Sequence, residues 1–221
     1  MTTTLVALAV VMATVIWWLV RTSVGASPWV EERSGADHSP TSTLPLPTIK
    51  IGLGVFMAVA TSLFALSISA YLMRREGVDW RPLAPPMVLW FNTASLALGS
   101  VFFQRARNAS RWGQAAGMRR GLLAGGACTL AFLAGQFWAW RSLDAAGYYV
   151  ASNPANAFFY FLTALHGLHL LGGLWVWGAT LVKMRRGAAL EQMRMSVELC
   201  TAYWHFLLVI WMILFGVLLF T

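Results

Sequence analysis

The 221 residues are 58% hydrophobic and only 11% charged, with a mean hydropathy of +0.64. That is more apolar surface than a soluble domain of this length can bury, so the composition defines a polytopic membrane protein, and the lengths of its apolar runs make it an all-α membrane helix bundle. The formal charge of +8 does not point to nucleic acid, because the sixteen Lys and Arg lie between the hydrophobic runs and form no basic domain; they are placed as loop cations obeying the positive-inside rule.

The first apolar run, Leu5 to Val20, closes on Trp17, Trp18 and Arg21, the pattern of an interfacial belt and its anchor. Met1 to Thr4 carries no basic n-region and no convincing small-residue cleavage pattern precedes Pro28, so residues 1–21 read as a retained, extra N-terminal transmembrane helix rather than a secretory signal. From Thr22 to Lys50 the composition shifts to Ser, Pro, Thr and Gly with Glu31, Glu32, Asp37 and His38. Such a stretch cannot build a core and is expected to be a flexible linker. Residues 51–221 then hold five apolar runs: Ile51 to Met73, Pro85 to Phe103, Gly121 to Trp140, Ala157 to Lys183 and Leu199 to Phe220. Each is long enough, at about 1.5 Å per helical residue, to cross a hydrocarbon core of about 30 Å.

The loops after the first, third and fifth of the six runs hold twelve of the sixteen cations, and those after the second and fourth hold four. The twelve belong on the inner side, which places both termini outside. Gly117, Gly121 and Gly125 recur every fourth residue and are continued by Ala131 and Gly135, so this helix can approach a neighbour closely, although the spacing does not name the neighbour. Cys128 and Cys200 sit in separate apolar runs without metal-ligand spacing and read as small buried residues. No repeat of transporter type is visible.

All eight acids fall outside the apolar runs, with Glu198 at the edge of the last. Intramembrane acids mark proton and ion paths, so their absence argues against an independent pump or ion-coupled transporter. His166 and His169, three residues apart, share a helix face with Leu162, Gly173 and Trp177. Two readings stand side by side. With His205 they could ligate haem or copper in an independent redox protein; otherwise they satisfy one another, backbone carbonyls or a lipid head group inside the bundle. In the last helix Glu198, Thr201, His205, Leu208 and Met212 fall near one face, while Trp204 and Tyr203 suit an interfacial belt. Asn92 and Gln136 read as bridges between helices. No nucleophile with a base, phosphate loop or carboxylate pair is present.

Two stretches, FFYFLTALHGLHLLGGLW from Phe158 and ELCTAYWHFLLVIW from Glu198, closely resemble subunit III of the haem-copper oxidases. The sequence around Asn92 and FLAGQFWAW from Phe132 support the resemblance, which spans about residues 50–221 and leaves out the first helix and linker. The resemblance implies a five-helix core in a non-catalytic accessory subunit of a terminal oxidase. It implies packing on catalytic subunit I, which carries the haem and copper, contact with other oxidase subunits, and bound phospholipid, with no cofactor in this chain. His166, His169, Trp204, His205, Glu198, Gln136 and Asn92 then become packing or lipid-contact residues. Where the family commonly carries intramembrane acids this chain has Ala60, Ala139 and Leu208, which implies a mainly structural member. The same absence keeps the accessory subunit of a nitric oxide reductase as a rival, since that reaction need not be coupled to pumping.

Overall fold

The computed structural model describes residues 48–83, 86–187 and 190–220. Of the two compact units into which the chain divides, Met1–Ala58 and Val59–Thr221, the first contributes only the opening of one helix to these residues. The extra helix expected at 1–21 and most of the linker lie outside them.

Five helices are described: α1 Thr48–Arg74, α2 Val88–Arg111, α3 Ala115–Ala145, α4 Pro154–Arg185 and α5 Leu190–Leu219. All five core helices are present, and the described residues contain no strand. α1 begins at Thr48, so residues 48–50, expected to close the linker, are helical. The helices outrun the apolar stretches that announce them, because backbone hydrogen bonding continues past the point where side chains turn polar. α5 extends furthest at a single end, its start, so that Glu198, expected at the edge, lies well inside it. α1, α3, α4 and α5 are long and apolar enough to cross a membrane. α2, expected as a further span, falls outside that set because it starts only at Val88 and combines the buried Asn92, Ser95 and Ser100 with Gln104 and Arg105 toward its end.

Local signals set the ends. Asn153 caps α4, its side-chain oxygen accepting the Ala155 amide at 3.2 Å, and Pro154 follows at the first helical position, where its missing N–H costs nothing. α2 stops at Gly113, whose φ of 71° is open to glycine but strained for other residues.

α2, α3, α4 and α5 form an antiparallel ring in which α2 closes on α5. The α2/α3 seam is the closest. A Cβ on Gly121 would lie 2.9 Å from both the Ala106 amide nitrogen and the Phe102 carbonyl, and one on Gly125 would lie 2.8 Å from the Phe103 ring. The small-residue spacing thus meets α2, with Gly117 against Ala109 continuing it; Ala131, expected on the same stripe, faces outward and Phe132 takes the buried position. α3 joins α4 through Trp177 Nε1–H donating to the Leu122 carbonyl at 2.8 Å and Trp140 Nε1–H donating to Thr163 Oγ1 at 3.0 Å. α1 leans on α4 through Phe64, 5.1 Å from the His169 ring, and Tyr71, 5.5 Å from Phe158.

Just beyond α1 the Arg74 guanidinium grips Asp79 with hydrogen bonds of 2.7 and 2.5 Å, and that bond holds the Asp79 carboxyl below its usual value. A lowered folded pKa means that the pair's contribution is complete above the ordinary aspartate value of about 3.9 and is lost as pH falls through the folded one. Both side chains are exposed, so the contribution is small. Asp79→Asn should leave the unfolding midpoint at neutral pH nearly unchanged and flatten its decline below about pH 4. An acid profile identical to that of the unsubstituted protein would show that the pair contributes nothing.

Candidate functional site

The polar residues singled out in the sequence gather along the inside of the ring, but on different partners. His166 is fully buried. Its ring is enclosed by Phe64 at 6.3 Å, Phe132 at 5.7 Å and Trp211 at 5.2 Å, and neither ring nitrogen has a hydrogen-bond partner among the described residues. The expectation that the two histidines satisfy one another or nearby carbonyls therefore fails for His166, because aromatic side chains from three helices occupy the space around it. His169, one turn on, turns back to its own helix, Nδ1–H donating to the Leu165 carbonyl at 2.8 Å.

His205 faces α2. Gln104 donates its amide N–H to Asn108 at 3.1 Å, which orients its carbonyl oxygen toward His205 Nε2 at 3.0 Å. Nε2 then carries the proton, and Nδ1 accepts from the Ser100 hydroxyl. Redox ligation by His166, His169 and His205 together is corrected by this geometry: the three imidazoles point to an aromatic cage, their own helix and α2 respectively. Among the described residues no three His, Cys, Asp or Glu side chains come together.

Trp204 and Tyr203, expected as an interfacial belt, are core residues with 2% and 8% exposure. Trp204 Nε1–H crosses the ring to Thr129 Oγ1 at 2.8 Å, and the Tyr203 hydroxyl donates to the His169 carbonyl at 3.0 Å. Both fit because Gly173 leaves room on α4, where a Cβ would come within 2.9 Å of Tyr203 and 3.0 Å of Trp204. Asn92 and Gln136 meet, Asn92 Nδ2–H donating to Gln136 Oε1 at 3.1 Å, with the Asn92 amide seated against Gly135. Glu198 pairs with Arg107 at 2.9 Å. Ala60 and Ala139 are buried, and Leu208 is half-buried.

Sequence reasoning missed the partners: Ser100, Gln104 and Arg107 on α2, Thr129 and Phe132 on α3, and Trp211 on α5. Part of the signal was there, since Ser95, Gly99, Ser100 and Phe103 fall at helical spacing and mark the inner face of α2.

Such a molecule is an integral membrane helix bundle whose buried polar groups mostly bind one helix to another. The family model for cytochrome c oxidase subunit III matches residues 2–221. A cytochrome c oxidase subunit 3 of Thermostichus vulcanus is 31% identical over 173 residues, covering 76% of this chain and 85% of the relative. That of a Synechocystis strain is 28% identical over 170 residues, covering 74% and 72%. A probable cytochrome c oxidase subunit 3 of Mycobacterium tuberculosis is 27% identical over 177 residues, covering 78% and 87%. The chain belongs to the cytochrome c oxidase subunit III family. It is an accessory subunit of a haem-copper oxidase and associates with other oxidase subunits. The family match starts at residue 2, so the first apolar run and the linker, read from sequence as outside the resemblance, fall within the matched range.

Proposed function

We propose that this chain packs on catalytic subunit I of its oxidase, where the haem and copper reside, and stabilises that subunit through helix packing and bound phospholipid while oxygen is reduced to water. In this reading the membrane is a bacterial-type plasma membrane, both termini face outward, and the basic loops after α2 and α4 face inward. His166, His169, Trp204, His205, Gln136 and Asn92 act by holding the helices in register, and Glu198 by packing and lipid contact.

The observation that carries the reading is the contrast between inside and outside. Inside, side chains from facing helices bond across every seam of the ring. Outside, α1 presents Val59, Leu63 and Leu66, and α2 presents Trp90, Phe91 and Leu98. These apolar faces suit lipid or a neighbouring membrane subunit.

Purification of the tagged chain from its native membrane in mild detergent tests the proposal. The expected result is co-purification of a haem-containing subunit with oxygen-consuming activity, and a shorter lifetime of that activity at elevated temperature when this chain is deleted. Recovery as a solitary, monodisperse protein would count against it. Nitric oxide consumption without oxygen consumption would transfer the same accessory role to a nitric oxide reductase.

A further inference from the structure

Four helices bring polar side chains to one level of the bundle: Asn92 and Thr93 from α2, Gln136 from α3, His166 from α4 and Trp211 from α5. Their contacts fix the level. Asn92 Nδ2–H donates to Gln136 Oε1 at 3.1 Å, Trp211 Nε1–H donates to Thr93 Oγ1 at 2.9 Å, and the Trp211 and His166 rings lie 5.2 Å apart. The Trp140–Thr163 and Trp177–Leu122 bonds set the antiparallel register of α3 against α4, which brings Gln136 level with His166. Phe132, one turn before Gln136 on the same face, is 5.7 Å from the His166 ring.

This layer holds more hydrogen-bonding capacity than its members use. Asn92 Oδ1, Gln136 Nε2 and both ring nitrogens of His166 are buried without a hydrogen-bond partner among the described residues, on side chains that are at most 3% exposed. The neighbouring hydroxyls have committed their protons: Thr93 Oγ1–H donates to the Leu89 carbonyl at 2.8 Å and Thr163 Oγ1–H to the Phe159 carbonyl at 2.7 Å. Phe64, Phe132 and Trp211 present only ring faces and edges to the imidazole. Buried amides and imidazoles are costly unless something completes their hydrogen bonds, and lipid cannot.

We propose that the layer binds an internal water molecule between Gln136 and His166. Gln136 Nε2 has only donors to offer, and a neutral imidazole carries one acceptor nitrogen; a water accepts from the first and donates to the second. The Gln136 amide cannot swing to His166 by itself without giving up the bond that Asn92 makes to its carbonyl oxygen. Asn92 Oδ1 is seated against Gly135, which closes it off from the shared site. The water therefore joins α3 to α4 behind the aromatic enclosure of Phe64, Phe132 and Trp211, in the one stretch of that seam where two buried polar side chains stand level without a bond between them. The inference requires this chain alone and stands whether or not the chain's partner is the oxidase proposed above.

The full chain, labelled with 15N-histidine and reconstituted in bilayers, is measured by solid-state NMR, with His166→Gln assigning the His166 resonances. The unsubstituted chain is expected to show the acceptor nitrogen of His166 shifted into the hydrogen-bonded range and a cross-peak from water protons to that ring. Gln136→Met, close in shape but without N–H groups, is expected to abolish the cross-peak and return the nitrogen to the unbonded range. Gln104→Met, which removes the carbonyl facing His205, should leave both His166 signals in place. Should Gln136→Met fail to fold, the cross-peak of the unsubstituted chain decides alone. A His166 ring without a water cross-peak overturns the proposal, as does direct transfer from the Gln136 amide protons to the His166 nitrogen. So does a water cross-peak that Gln136→Met leaves unchanged.

Discussion

Replacing Gly121 with leucine is expected to separate α2 from α3 and abolish the native bundle. Even a single added carbon at this position would stand 2.9 Å from the Ala106 nitrogen and the Phe102 carbonyl oxygen. Those are backbone atoms of a hydrogen-bonded helix and cannot rotate away as a side chain can. Within lipid there is no hydrophobic drive to re-close the seam, because the separated faces are as well solvated by acyl chains as by each other; close packing is most of what holds the pair. Gly121→Ala should cost about 1–3 kcal/mol and Gly121→Leu more than that, by the penalties known for overfilled interiors. Gly178, on α4, has no atom within 4 Å of an added carbon. Gly178→Ala should therefore be neutral or stabilise by up to about 1 kcal/mol through helix propensity. Unfolding midpoints in a denaturing-detergent titration separate the two cases; equal loss at both positions would show that backbone flexibility, not close approach, is what glycine supplies.

The second large effect is expected at Trp211. Its indole is fully buried, lies 4.7 Å from the Phe132 ring and 5.2 Å from the His166 ring, and donates Nε1–H to Thr93 Oγ1 at 2.9 Å. It therefore ties α5 to α2, α3 and α4 at one level of the bundle. Trp211→Ala should cost about 3–5 kcal/mol, the range for deleting a large buried aromatic side chain. Trp211→Phe keeps most of the packing and loses one hydrogen bond, a loss of about 1 kcal/mol. The same titration reads both. A loss for Trp211→Ala no greater than for Trp211→Phe would mean that the cage around His166 collapses freely and that the indole is not the organising contact.

His166 shows how a correct motif can carry an incorrect environment. Two histidines at helical spacing can be read from the chain, but their hydrogen bonds depend on which side chains three other helices bring near. Here Phe64, Phe132 and Trp211 arrive, from positions 64, 132 and 211, and no local pattern joins them. Trp204 and Tyr203 erred for a related reason. A Trp–Tyr pair near a helix end suits an interface by composition, but α5 begins at Leu190, so the pair lies deep within the helix and meets the gap left by Gly173. The four-residue glycine spacing was legible because close approach demands small residues wherever it occurs. Only the assembled ring gives it α2 as a partner.

What the chain determines by itself is the class of molecule, the number and approximate place of its five described helices, and its family. These rest on quantities that add along a sequence: apolar length against bilayer thickness, cap residues, and motifs contiguous within one helix. The tertiary structure decides what crosses between helices. It sends His205 to Ser100 and Gln104, leaves His166 among aromatic rings, brings Asn92 to Gln136, and sets Glu198 beside Arg107. A helix exposes every side of its surface to possible neighbours, and a pairing becomes definite only when all the seams of the ring close together.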